Sequence, residues 1–128
     1  MTVRSRPLSP HLQIYRWTIT MAMSIAHRAT GIANYAGTVL LVIWLAAAAA
    51  GQEPLNVVNA IYGSWFGQLV LFLYTWSLLH HMLGGLRHFV WDFAKMMEPG
   101  QREMLAWANL VASIVLTLLV WTAFVWVA

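Results

Sequence analysis

Three apolar stretches, Thr30 to Ala50, Trp65 to Leu86 and Leu105 to Val127, limit this chain more than anything else in its sequence. About twenty residues at about 1.5 Å rise cross the roughly 30 Å of a bilayer core, so each run predicts a membrane-spanning helix. The helices are expected over about 19–50, 64–91 and 104–127, giving an all-α integral membrane protein with one membrane-embedded domain over 1–128. Composition agrees: 61% of the 128 residues are hydrophobic and only 9% charged, far below the roughly one quarter of a soluble domain. The opening segment, Met1 to Thr18, carries Arg4, Arg6, Pro7, Pro10 and Arg16 but no apolar h-region. It is therefore expected at the membrane surface, neither as a secretion signal nor as a first span. Gly51 to Gly63 reads as a polar connection, and a short loop with Lys95, Glu98, Pro99, Gly100, Arg102 and Glu103 joins the last two spans.

The placement of charge orients the chain. Arg4, Arg6, Arg16 and Arg28 precede the first apolar run, Arg87, Lys95 and Arg102 surround the second loop, and no Lys or Arg falls elsewhere. By the positive-inside rule the N-terminus lies inside and the C-terminus outside. Trp17, Trp91 and Trp107 then mark the inner interface, with Trp65 and Trp126 at the outer one. A net charge of +3 is too small to argue for nucleic acid. The absence of Cys excludes disulfides and Cys-ligated zinc or iron–sulfur centres, so a redox centre here uses His or Met or comes from another chain.

The second span ends in His80-His81-Met82-Leu83-Gly84-Gly85-Leu86-Arg87-His88-Phe89-Val90-Trp91-Asp92. Ionisable side chains at membrane depth point to a functional site. On a helix His81, Gly84, Gly85 and His88 share a face, while His80 points about 100° away and reads as a packing or polar-contact residue. Two imidazoles thus flank a gap without side chains, which admits either a neighbouring helix or a flat cofactor. In the expected topology Ser24, His27 and Arg28, at the start of the first span, come level with Arg87 and His88. Ser24 and Arg28 lie one helical turn apart. His81 lies six residues before Arg87, about 9 Å deeper. A ligand touching both regions has an apolar body at the depth of His81 and anionic groups near the arginines. Haem b has that shape, and the spacing permits it without requiring it. Arg28 also reads as a snorkelling interfacial residue and Ser24 as a donor to its own helix. Met21, Met23 and Met82 read as core filler, not iron ligands.

Three ordered blocks carry a family resemblance: Arg6-Pro7-Leu8-Ser9-Pro10-His11-Leu12-Gln13-Ile14-Tyr15, then Ser24-Ile25-Ala26-His27-Arg28-Ala29-Thr30-Gly31, then His81 to His88 closing with Asp92. Together they resemble the large cytochrome b membrane-anchor subunit of succinate dehydrogenase, respiratory complex II. The likeness covers nearly the whole chain, and the first two blocks are most similar to the mitochondrial and alphaproteobacterial branch.

The resemblance implies a helical bundle completed by a second membrane-anchor subunit, beneath an iron–sulfur subunit and a flavoprotein that oxidises succinate, in a bacterial or mitochondrial inner membrane. It implies His81 as an axial ligand of the haem b iron, His27, Arg28 and His88 as propionate contacts, and Ser24 with Arg28 as part of a ubiquinone-reduction site. The second axial imidazole comes from the other anchor subunit. Asp92, one turn from His88, would orient that imidazole. His11 would lie at the surface or against the iron–sulfur subunit. The succinate chemistry lies outside this chain. Competing readings are a cofactor-free structural anchor, a self-contained two-haem cytochrome b, which needs paired His on two spans, and the anchor of a fumarate reductase drawing on menaquinol.

Overall fold

The structure, a computed structural model, describes residues 15–127. Four helices follow in order: α1 (Ile19–Ala50), α2 (Gln52–Gly63), α3 (Trp65–Asp92) and α4 (Pro99–Val127). Helices α1, α3 and α4 are the ones long and apolar enough to cross a membrane. They run antiparallel in sequence, with α3 packed against both others. The start of α1, the end of α3 and the start of α4 therefore share one end of the bundle, hereafter the basic end. Residues 1–14, which hold most of the first signature block with His11, and the side chain of Trp126 lie outside the described residues.

Local chemistry sets each boundary. Thr18 caps α1 by accepting from the Met21 N–H. Gly51 ends it at φ 121°, a backbone region that side chains disfavour. The stretch expected as a plain connection is instead the 12-residue helix α2. Pro54 stands in its first turn, where no N–H is needed, and Gln52 Nε2 donates to Asn56 Oδ1 at 2.8 Å. Two bonds fasten α2 to α1: Trp44 Nε1 donates to Asn59 Oδ1 at 3.0 Å, and the Tyr62 hydroxyl to the Leu40 carbonyl at 2.7 Å. Ser64 caps α3 by accepting from the Gly67 N–H at 3.1 Å. At Gly67 any side chain would run into the Ile61 and Tyr62 backbone, so glycine allows the sharp corner. The α3–α4 turn uses positive φ at Ala94 and Met96. Pro99 then opens α4 a turn earlier than the apolar run suggests, because a first-turn proline needs no N–H partner.

The core is polar where helices meet and apolar outside. Along α3, Ser77, His80, Gly84 and Arg87 are buried, a stripe spaced by three and four that faces the other helices. On α4 the matching positions are Ala106, Asn109, Ser113 and Thr117, small enough for close approach. His80 Nδ1 meets Ser113 Oγ at 3.2 Å and Asn109 Nδ2 at 3.3 Å, which gives His80 the polar contact its register suggested. Between α1 and α3, Ser77 Oγ lies 3.1 Å from the Thr30 carbonyl and 2.7 Å from Asn34 Oδ1. Exposed large apolar residues such as Ile32, Val39, Leu73, Leu86 and Leu118 cover the outside, as lipid or apolar neighbours require. Of the methionines expected as filler, Met23 is buried but Met82 is 51% exposed.

The closest α1–α3 approach is at Gly37, where a Cβ would overlap the Tyr74 ring. Gly37→Ala is therefore expected to destabilise the bundle by about 1–3 kcal/mol, the range for overpacking. Thermal unfolding in detergent checks this, and Tyr74→Leu in the same chain should restore much of the loss.

Candidate functional site

His81 of α3 reaches toward α1 and bonds it through one ring nitrogen. Its Nδ1 lies 3.0 Å from the His27 carbonyl oxygen and 3.3 Å from Thr30 Oγ1. A carbonyl can only accept, so Nδ1 carries the proton and donates it. In the neutral tautomer with this proton, the lone pair is on Nε2, which no described residue engages. Thr30 Oγ1 donates within α1, 2.9 Å from the Ala26 carbonyl and 3.0 Å from that of His27, so toward His81 it acts as an acceptor. A half-buried imidazole with its tautomer fixed by a backbone carbonyl is the arrangement that metal-ligating histidines adopt.

The His27 ring lies parallel to that of His81, with centroids 4.0 Å apart and planes inclined by 10°. This stack uses the face of His81 and not the in-plane direction of Nε2. His27 fits there because Gly84 has no side chain: a Cβ at Gly84 would overlap the His27 ring. The gap expected across Gly84 and Gly85 is thus half filled from within. Gly85 has no atom within 4 Å of where its side chain would begin, and this part remains open.

His88 is exposed and stands edge-on to His27 at 5.4 Å and to Trp91 at 5.2 Å. No hydrogen bond joins it to Asp92, which faces outward, so the expected orienting role of Asp92 has no contact behind it. Arg28 is exposed as well, and its Nη2 donates to Ser24 Oγ at 3.2 Å, the one-turn pairing the spacing predicts. Thr20, Ser24, His27, Arg28, Arg87, His88 and Trp91 line a recess of about 240 Å³ at the basic end.

Sequence reasoning missed two members of this recess. Trp91 was expected as an interface marker, yet it is half-buried, with Arg87 Cζ 5.1 Å from its ring centroid. Arg87 was expected level with Arg28, near a ligand's anionic groups, but its burial, 6% exposed, was not expected. The available signal was its place three residues after Gly84 and seven after His80, on the stripe that turns inward. A larger hollow, about 510 Å³, opens at the other end between Trp44, Tyr62, Thr75 and Trp121. No charged residue lines it, and its Trp and Tyr donors are already bonded to protein acceptors. The ionisable chemistry of the described residues gathers at the basic end.

The two glycines make a paired test of this geometry. Gly84→Ala is expected to force His27 out of the stack and lower stability by about 1–3 kcal/mol, whereas Gly85→Ala meets no neighbour within the chain. Thermal unfolding in detergent should separate the two variants.

Comparison with known proteins places the chain in a family. Residues 2–120 match the family described as succinate dehydrogenase/fumarate reductase transmembrane subunit. The chain is 38% identical over 115 residues to the succinate dehydrogenase cytochrome b556 subunit of Paracoccus denitrificans, covering 90% of this chain and 88% of that protein. It is 34% identical over 116 residues to the cytochrome b556 subunit of Rickettsia prowazekii (strain Madrid E), at 91% and 90% coverage. It is also 37% identical over 115 residues to the mitochondrial cytochrome b560 subunit of Bos taurus, at 88% and 68% coverage. Identity at this level along most of the chain, which includes three helices long and apolar enough to cross a membrane, makes this protein a member of the succinate dehydrogenase/fumarate reductase transmembrane subunit family.

Proposed function

We propose that this chain is the cytochrome b anchor of a succinate:ubiquinone oxidoreductase in a bacterial or mitochondrial inner membrane, with its N-terminus inside. It binds haem b together with a second anchor subunit and forms part of the ubiquinone-reduction site. A flavoprotein and an iron–sulfur subunit dock above it and deliver the electrons of succinate oxidation. The observation that carries this reading is His81, whose Nδ1–H is given to the His27 carbonyl and whose Nε2 lone pair is left free at membrane depth.

The residues present fit the cofactor. His81 offers a neutral imidazole nitrogen, and the bond to α1 holds its ring in place. His27 has an Nε2 that is buried without a partner, a polar atom waiting for one from outside the chain. With His88 and Arg28 it surrounds the recess into which propionates would reach. When bound, the haem supplies an iron that takes and gives one electron at a time. His81 would be this chain's one ligand to the haem iron, and the second anchor subunit would supply another.

Ser24 and Arg28 act on the quinone. A quinone carbonyl oxygen becomes more basic and more negative as electrons arrive, so a hydroxyl and a guanidinium fixed beside it stabilise the charge as it develops. The bond from Arg28 Nη2 to Ser24 Oγ sets the two donors side by side and leaves the other guanidinium N–H groups free for substrate.

In the purified complex, His81→Leu is expected to abolish or strongly alter the b-type absorbance. An unchanged reduced-minus-oxidised spectrum with six-coordinate iron would overturn the ligand assignment, and a parent complex without b bands would favour a cofactor-free anchor.

Arg28→Lys keeps the charge but loses the planar fork. Removal of one well-directed donor costs about a hundredfold in enclosed enzyme sites, and the exposed setting of Arg28 should make the loss smaller. Quinone reduction is expected to fall clearly for Arg28→Lys and for Ser24→Ala, while succinate oxidation by an artificial dye, which draws electrons upstream, stays near the parent rate. Native quinone turnover in both variants would remove them from the site.

A further inference from the structure

Among the described residues, Arg87 is the buried cation. It is 6% exposed, and its Nε and Nη1 are buried with no hydrogen-bond partner. Trp91, whose ring lies beneath the guanidinium, also has its Nε1 buried and unpartnered, as does His27 Nε2. All three residues line the recess of about 240 Å³. Guanidinium and indole nitrogens can only donate, so whatever satisfies them is an acceptor, and a full charge on the nearly buried guanidinium of Arg87 favours an anion. No acidic side chain supplies it among the described residues. Its four acidic residues are Glu53, Asp92, Glu98 and Glu103; all are exposed, and none pairs with Arg87.

We propose that Arg87 and Trp91 form a carboxylate-binding site that holds a haem propionate from beneath, a role separate from that of the exposed Arg28. The inference rests on the haem-binding reading above. Six residues of helix, about 9 Å, separate Arg87 from His81, so one helix presents an iron ligand at depth and a carboxylate anchor toward the surface. A recess of this size takes a carboxylate-bearing arm while the body of the ligand stays outside. Other oxyanions share this chemistry, namely a phospholipid phosphate or a carboxylate of a partner subunit, and the experiment separates the three.

The complex is prepared with haem carrying ¹³C in its propionate carboxylates, and reduced-minus-oxidised infrared spectra are compared for the parent, Arg87→Gln and Trp91→Phe. Arg87→Gln is expected to shift the ¹³C-sensitive carboxylate bands and to speed haem transfer to an apoprotein acceptor by about tenfold or more, as loss of a charge-assisted bond implies. Trp91→Phe keeps the aromatic face under Arg87 and should shift the same bands by less. If Arg87→Gln does not assemble, Trp91→Phe decides alone. Shifts confined to bands insensitive to the haem label assign the anion to a partner's carboxylate and overturn the proposal. Loss of bound phospholipid with unmoved carboxylate bands assigns it to a phosphate and does the same, and no change in any variant leaves Arg87 without an anion. A parent complex with no haem b spectrum fails the preceding functional reading instead, so the two failures are distinguishable.

Discussion

Every polar group that enters a bilayer must find its partner inside the protein, and this requirement arranges the whole bundle. The helices satisfy their own backbones, which leaves the side chains of Thr30, Asn34, Ser77, His80, His81, Asn109 and Ser113 to be paired between helices. Ser77 is satisfied by α1, and His80 by α4. His81 gives its proton to an α1 carbonyl at 3.0 Å. These contacts fix helix rotation more sharply than apolar packing would, because lipid tails solvate a leucine as well as a neighbouring helix does. The outward faces are accordingly aliphatic and need no specific partner, while the seams are polar and narrow.

Where that pairing is incomplete, the molecule points beyond itself. Buried nitrogens lacking partners, on His27, Arg87 and Trp91, collect at the basic end beside the open Gly85. They are not scattered as packing faults would be. A cluster that is rich in donors and cations, with no acidic side chain bonded to it among the described residues, has the chemistry to receive an anion. His80 Nε2 and Asn109 Oδ1 are also unpaired among the described residues, but they lie in the α3–α4 seam and not at this recess.

Much of this was legible in the sequence because hydropathy and charge act through the simplest geometry. The three spans, the Ser24–Arg28 pair and the depth of His81 follow from rise and periodicity alone. Helix α2 was not legible as a helix, since its polar residues resemble a loop until Trp44 and Tyr62 bond across to it. Nor was the fate of Gly84. A glycine pair announces a close approach but not by what, and the visitor proved to be a histidine from the same chain. The burial of Arg87 was not legible from the face of His81 and His88, because the helix turns the stripe of Ser77, His80, Gly84 and Arg87 inward.

That rotation explains how one helix can both hold the bundle together and serve a ligand. Ser77, His80 and Gly84 of the inward stripe are committed to α1 and α4, whereas His81 lies on the adjacent flank, about 100° away from His80. On this flank His81 is half-buried, Gly85 is open and His88 is exposed, a gradient from shelter to access along a single face. An α3 of 28 residues, about 42 Å at about 1.5 Å per residue, exceeds the roughly 30 Å bilayer core by about two turns. That excess lets the helix keep His81 within apolar depth while Arg87, His88 and Trp91 stand near the headgroups, where charge costs less. The order of residues along α3 is thus also an order of dielectric, with the neutral nitrogen donor deepest and the cations shallowest.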